Sequence, residues 1–209
     1  MKDNPFDAHT REYENWFIEN NILFQSELLA LKQVVPINKK GIEIGIGSGI
    51  FAEQLGIQFG IDPSENMLKY ARKRNLDVQK GVAEELPYDN ESFDYAVFIT
   101  SICFVDDTQQ AIKEAKRILK KHGEIIIAII DRATPYGKLL NEGKEQNKFY
   151  KYARFFSTDE ILELLKANSF SITQIKQTLK NLTTTIVETP EEGYGKGCFV
   201  VIKAIKNKQ

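Results

Sequence analysis

The chain has 209 residues, 42% hydrophobic and 27% charged, which is enough for one domain with a sizeable core and is the composition of an ordinary water-soluble protein. Lys plus Arg total 28 against 29 for Asp plus Glu, so there is no overall positive field to hold a phosphate backbone or an anionic membrane, and neither nucleic acid nor membrane is expected as a partner. The start, MKDNPFDAHTREYENWF, has no apolar stretch behind a basic one, and no later run approaches the roughly 18 apolar residues of a membrane-spanning helix; a cytoplasmic protein is expected.

From Ala8 to about Val35, Tyr13, Trp16, Phe17, Ile22, Leu23, Leu28, Leu29 and Leu31 fall mostly at helical spacings, interrupted at Asn20-Asn21, which predicts two helices before the first strand. GIEIGIG from Gly41 reads as a strand running into a tight turn. FAEQL predicts a short helix, GIQFGID a second strand ending at Asp62, and Ser64 to Arg74 a helix placed just after Pro63. DVQKGV and SFDYAVFIT read as strands three and four. In AIKEAKRILKK one apolar stripe faces five basic side chains, as on a surface helix packed against a sheet. EIIIAIID has no alternation, as expected of a strand covered on both faces. Ser157 and Glu160 have the spacing of a capping box before ILELL, and FSITQIKQTLK and GCFVVIKAIK predict an antiparallel pair at a sheet edge. The alternation implies a parallel sheet with helices on both sides.

The most informative stretch is Glu43-Ile44-Gly45-Ile46-Gly47-Ser48-Gly49. Glycines at a strand-to-helix turn let a ligand approach bare backbone, and Asp62, ending the neighbouring strand, can accept hydrogen bonds from both hydroxyls of a ribose. The dinucleotide pattern GxGxxG would need glycine at Ile50; acidic Glu43 beside the turn suits a ligand carrying an ammonium group better than a pyrophosphate. Cys103 and Cys198 show neither CxxC spacing nor neighbouring histidines, so no disulfide framework is indicated and no metal is expected.

EIGIGSG, IDPSENML and GVAEELPYDNESFDYAV together resemble the first three motifs of class I S-adenosylmethionine-dependent methyltransferases, nearest the small-molecule branch with the ubiquinone and menaquinone enzymes. The likeness covers roughly residues 40–131, and RFFSTDEILELL is similar to the helix before strand six of that group. It implies a doubly wound α/β fold with a mostly parallel seven-stranded sheet and an antiparallel edge strand, binding S-adenosylmethionine. It further implies Glu43 at the methionine end, Gly45, Gly47 and Gly49 at the turn, Asp62 on the ribose, and Ala83 and Glu84 bordering the adenine with Pro63, Ser64 and Met67 opposite. Thr100 falls where the family uses backbone groups for the methionine portion. Two departures stand out: only 12 residues separate Gly49 from Asp62, so the first crossover helix must be short, and Val82 stands where many relatives carry aspartate.

Methyl transfer from a sulfonium needs no acid, and a base only if the acceptor arrives protonated; no residue is singled out as that base. TSICFVDD lacks the signature of enzymes that methylate an exocyclic amine of a nucleobase. Trp16, Phe104, Arg132, Tyr136 and Arg154 are the candidate acceptor contacts, the two arginines because they could receive an acidic group. The whole chain reads as one methyltransferase domain, with residues 1–36 a helical cap and 132–156, rich in aromatics at Phe149, Tyr150, Tyr152, Phe155 and Phe156, a candidate substrate lid. A small-molecule acceptor is the leading expectation. Rival readings are a protein acceptor, a donor-binding protein without acceptor chemistry, and a nicotinamide-dependent oxidoreductase.

Overall fold

The computed structural model describes residues 5–183 and 185–207. Three helices come first: α1 (Pro5–Ala8), α2 (Thr10–Glu19) and α3 (Asn21–Lys32). The break between α2 and α3 falls at Asn20, whose side-chain amide donates to the Trp16 carbonyl (2.9 Å), a local bond that competes with continuing the helix.

The sheet takes β1 (Gly41–Ile44), β2 (Phe59–Asp62), β3 (Asp77–Lys80), β4 (Phe93–Ile99), β5 (Leu119–Ile130), β6 (Phe170–Thr178), β7 (Glu191–Glu192) and β8 (Phe199–Lys206), in the order β3-β2-β1-β4-β5-β8-β6-β7. The first five strands are parallel; β8, β6 and β7 pair antiparallel in turn. The expected doubly wound, mostly parallel architecture is therefore present, with one strand beyond the seven expected: two-residue β7, too short to carry a sequence pattern.

Helices α4 (Ile50–Leu55), α5 (Glu65–Lys73), α6 (Thr108–Ile118), α7 (Pro135–Glu142) and α8 (Thr158–Ala167) complete the fold. Alternation along the central strands divides the core. Phe93, Ala96 and Phe98 of β4 with Ile125 and Ile127 of β5 face α6 and α8. Tyr95, Val97 and Ile99 with Ile126 and Ala128 face α3, α4 and α5. All ten side chains are buried, so the apolar runs without alternation reflect two covered faces.

Helix starts follow side-chain chemistry. Ser157 accepts from the Glu160 N–H (3.3 Å) and Glu160 accepts from the Ser157 N–H (2.7 Å), completing the capping box of α8. Asp107 caps α6, Ser64 caps α5 and Thr134 caps α7. The short first crossover is α4, six residues long. Helix α7 was not expected, because PYGKLLNE contains a glycine and no apolar stripe; only Gly137 in it is buried. Among the described residues no helix is long and apolar enough to cross a membrane.

Chain direction reverses between β1 and β4: the chain winds outward from β1 through β2 to β3, then returns to the other side of β1. That switch leaves a crevice beyond the carboxyl ends of the strands, where ligands bind in such sheets.

Candidate active site

A cavity of about 450 Å³ occupies this crevice, bounded by Ile44 ending β1 and Gly45 after it, Asp62 ending β2, Gly81 after β3, Thr100 after β4 and Ile130 ending β5. Its roof is aromatic. Phe6 of α1 meets Phe104 and Phe149 with ring centroids 5.0 and 5.5 Å apart, and Tyr13 of α2 meets Phe149 at 6.2 Å. The roof is fastened by Asp7, which accepts from the Ser64 hydroxyl (2.5 Å) at the start of α5, by Glu12 paired with Lys148, and by Glu14 paired with Arg74 (2.6 Å).

Asp62 is held by backbone: the Gly47 N–H donates to Oδ2 (2.9 Å) and the Ser64 N–H to Oδ1 (2.8 Å). A carboxylate oxygen has two lone pairs, so each retains capacity for a ligand hydroxyl. Burial pushes its pKa up to about 6, with the two N–H groups pulling down and the charge of Asp7 adding to the rise. At Gly47 the backbone is left-handed (φ 55°), and a Cβ there would find only the Tyr13 hydroxyl, 3.8 Å away, so this part of the wall is bare backbone. A backbone cradle beside a carboxylate with unused acceptor capacity, under an aromatic roof, fits S-adenosylmethionine.

A Thermotoga maritima protein, whose crystal structure is described as a SAM-dependent methyltransferase and possible histamine N-methyltransferase, is 45% identical to this chain. The match covers 97% of this chain and 99% of that one, with a TM-score of 0.94. The chain belongs to the S-adenosylmethionine-dependent methyltransferases. A family model described as "Methyltransferase domain" matches residues 42–127. The uncharacterised protein MJ1123 of Methanocaldococcus jannaschii is 42% identical over 97% of this chain and 99% of its own length. Likeness to the ubiquinone/menaquinone C-methyltransferase of Rickettsia bellii is more distant: 28% identity over 66% of this chain and 60% of the relative.

In this methyltransferase Gly45, Gly47, Asp62, Pro63, Met67, Ala83, Glu84 and Thr100 all border the cavity, as do Trp16 and Phe104. Glu84 Oε1 accepts from the Asp106 and Asp107 N–H groups (2.9 and 3.1 Å), tying the segment after β3 to the start of α6. Thr100 has a left-handed backbone (φ 48°), held by its N–H on the Ala128 carbonyl (2.9 Å).

Other expected residues stand off the wall. Gly49 turns away, since a Cβ there would lie 2.4 Å from Leu76 Cδ1; its role is packing under α4. Glu43 is buried behind the turn, with Oε2 lacking any partner. Burial, then the charge of Asp62, raise its pKa well above the carboxylate range, against the Ala52 N–H. Arg132 pairs with Glu160 (2.7 Å), and Arg154 lies over the Phe156 ring (5.0 Å to the centroid), so neither guanidinium reaches the cavity. Tyr136, on α7, is also outside its wall. Within the expected lid, Phe149, Tyr150 and Tyr152 border the cavity whereas Phe155 and Phe156 pack into the core. Cys103 is buried away from the main cavity, its thiol pushed up to about 12 by burial.

Sequence reasoning missed Glu27. It lies on α3, is 6% exposed, borders the cavity, and has no hydrogen-bond or ion-pair partner among the described residues. Burial alone pushes its pKa up to about 8. Its signal in the sequence is its place among Phe24, Leu28 and Leu31, which puts a carboxylate on the apolar side of the helix.

Proposed function

We propose that this methyltransferase methylates a small molecule, holding the donor along β1, β2 and β3 and the acceptor beside β5. One observation carries the reading: a single roofed cavity runs from Asp62 and Ala83 at one end to Ile130 and Tyr150 at the other, bordered by both the donor-type residues and an aromatic wall. In this assignment Asp62 takes the ribose hydroxyls, Ala83 and Glu84 border the adenine with Pro63 and Met67 opposite, and Gly45, Gly47 and the Thr100 backbone flank the methionine portion. Glu43 lies buried behind the turn at that end, where the positive charge of a bound donor would favour its ionised form. Bound there, S-adenosylmethionine supplies a methyl group on a sulfonium whose sulfur leaves as a neutral thioether.

The chain's own work is orientation and exclusion of water. Of the expected cap, residues 1–4 lie outside the described residues; residues 5–36 act as a cap and 132–156 as a lid, with Trp16 and Phe104 on the cap and strand side and Phe149 and Tyr152 on the lid side. Fixing two reactants in one enclosed geometry accounts for much of the rate such a reaction needs. The description of the Thermotoga relative as a possible histamine N-methyltransferase supports a small, nitrogen-bearing acceptor.

The test is turnover. Purified protein is incubated with S-adenosylmethionine and a panel of amines, phenols, thiols and carboxylic acids, and the demethylated donor and methylated products are followed by mass spectrometry. Methylation of a small molecule is the expected outcome; methylation of added proteins alone would refute the small-molecule reading.

A further inference from the structure

We infer that the acceptor is a small aromatic amine whose cationic nitrogen is received by the Glu27 carboxylate at the β5 end of the cavity. This rests on the proposed division of the cavity between donor and acceptor. It names the acceptor's chemical class and the residue that selects it.

Charge on the wall is one-sided. Among the described residues bordering the cavity, those that carry charge are Glu27, Asp62, Glu84 and Asp106, and none is a lysine, arginine or histidine. The two arginines that could have received an acidic acceptor are engaged elsewhere, on Glu160 and Phe156. An anionic acceptor would therefore enter a low-dielectric space with repulsion and no counter-charge, whereas a cation meets the opposite condition.

Glu27 differs from the donor-side carboxylates in having nothing to hold. Asp62 accepts from two backbone N–H groups, and so does Glu84. One helical turn before Glu27, Phe24 packs against Phe17 and Phe51 with ring centroids 5.1 Å from each, so the surroundings are apolar. A buried carboxylate left without a partner is a standing cost to the fold. Its position explains the cost. Helix α3 packs against β6 and β8, and Glu27 shares the cavity wall with Ile130 and Tyr150, which places it by the ends of β5 and β8, across the sheet order from Asp62 and Ala83; Tyr136, Tyr150 and Cys198 are the titratable groups coupled to it there. Rings at this end offer flat apolar walls and electron-rich faces for a cation: Tyr150 lies nearly parallel to Phe104, with centroids 6.4 Å apart.

Proton bookkeeping gives the proposal a distinct signature. Glu27, with its pKa near 8, is an uncharged acid in the free protein at pH 7. An arriving ammonium group stabilises the carboxylate, so the carboxyl proton passes to solvent and an ion pair remains. Tyr136, Tyr150 and Cys198 are all raised by burial and stay uncharged here, and Asp62, near 6, lies at the donor end.

Calorimetry on protein already loaded with S-adenosylhomocysteine tests this, using phenethylamine as probe, phenethyl alcohol and hydrocinnamate as neutral and anionic counterparts, and two buffers of different ionisation enthalpy. Expected at pH 7 are amine binding at least about tenfold tighter than either counterpart, with release of about one proton that fades above about pH 9. Glu27→Gln should weaken the amine by about tenfold or more and abolish the proton release, with S-adenosylhomocysteine affinity held within about twofold. Loaded protein that shows no preference for the amine, or a variant that leaves affinity and proton release unchanged, would overturn the proposal. Failure of S-adenosylhomocysteine to bind the parent protein would instead bring down the donor reading beneath it.

Discussion

Replacing Glu27 by glutamine should make the ligand-free protein more stable, by an amount that grows with pH. In the unfolded chain this carboxyl titrates near its ordinary 4.5, and in the fold near 8. The folded pKa is the higher one, so on raising the pH the unfolded state gives up its proton first. Stability from this group is therefore intact below about 4.5, falls between about 4.5 and 8, and levels off above. The full difference is about 3.5 units at about 1.4 kcal/mol each, or about 5 kcal/mol above pH 9; at pH 7 it is about 3 kcal/mol and at pH 5 under about 1 kcal/mol. Glutamine keeps the shape and cannot ionise, so the variant should recover these amounts. Asp62 shifts in the same direction but is present in both proteins and cancels from the difference. Urea unfolding of parent and variant at pH 5, 7 and 9 measures the effect. An equal offset at all three values, or a variant less stable than the parent at pH 9, would refute the reasoning.

Asp62→Ala removes two acceptor oxygens from the proposed ribose site, and at about 1.5–3 kcal/mol for a hydrogen bond to a charged group it should weaken S-adenosylhomocysteine by about tenfold to a hundredfold in calorimetry. The glycine turn separates binding from folding. Gly47→Ala has room but a left-handed backbone, so it should cost about 1–2 kcal/mol of stability and blunt donor binding. Gly49→Ala adds a collision with Leu76 and should lower the denaturation midpoint further without a specific loss of donor affinity in the protein that remains folded. Ser157→Ala breaks one side of the α8 capping box and should cost about 1 kcal/mol in thermal or urea unfolding, with donor affinity unchanged.

Strands β1, β4 and β5 were legible because each is buried on both faces, which leaves a run of apolar residues with little else it could be. Asp62 was legible for a related reason: a strand that ends in an acid beside a glycine turn places that acid at the crevice. What the sequence could not show depends on crossings between distant segments. Glu27 sits among leucines and reads as one acid on a helix until α3 is laid across the sheet beside β6 and β8. Arg132 and Arg154 follow or precede elements that border the cavity, yet their partners, Glu160 and Phe156, draw them off it. Gly49 belongs to the same motif as Gly47 and faces the opposite way, a difference set by Leu76 and Ala71 packed against it. Glu43 is a similar case, close to the turn in sequence but buried behind it.

Crystals grown with S-adenosylhomocysteine test the placement of the donor most directly. The expected result is ligand density along Gly45 and Gly47 with both ribose hydroxyls on the Asp62 carboxylate, leaving the space beside Glu27 and Tyr150 for the acceptor. Density lodged outside this cavity, or a bound ligand that makes no contact with Asp62, would contradict it.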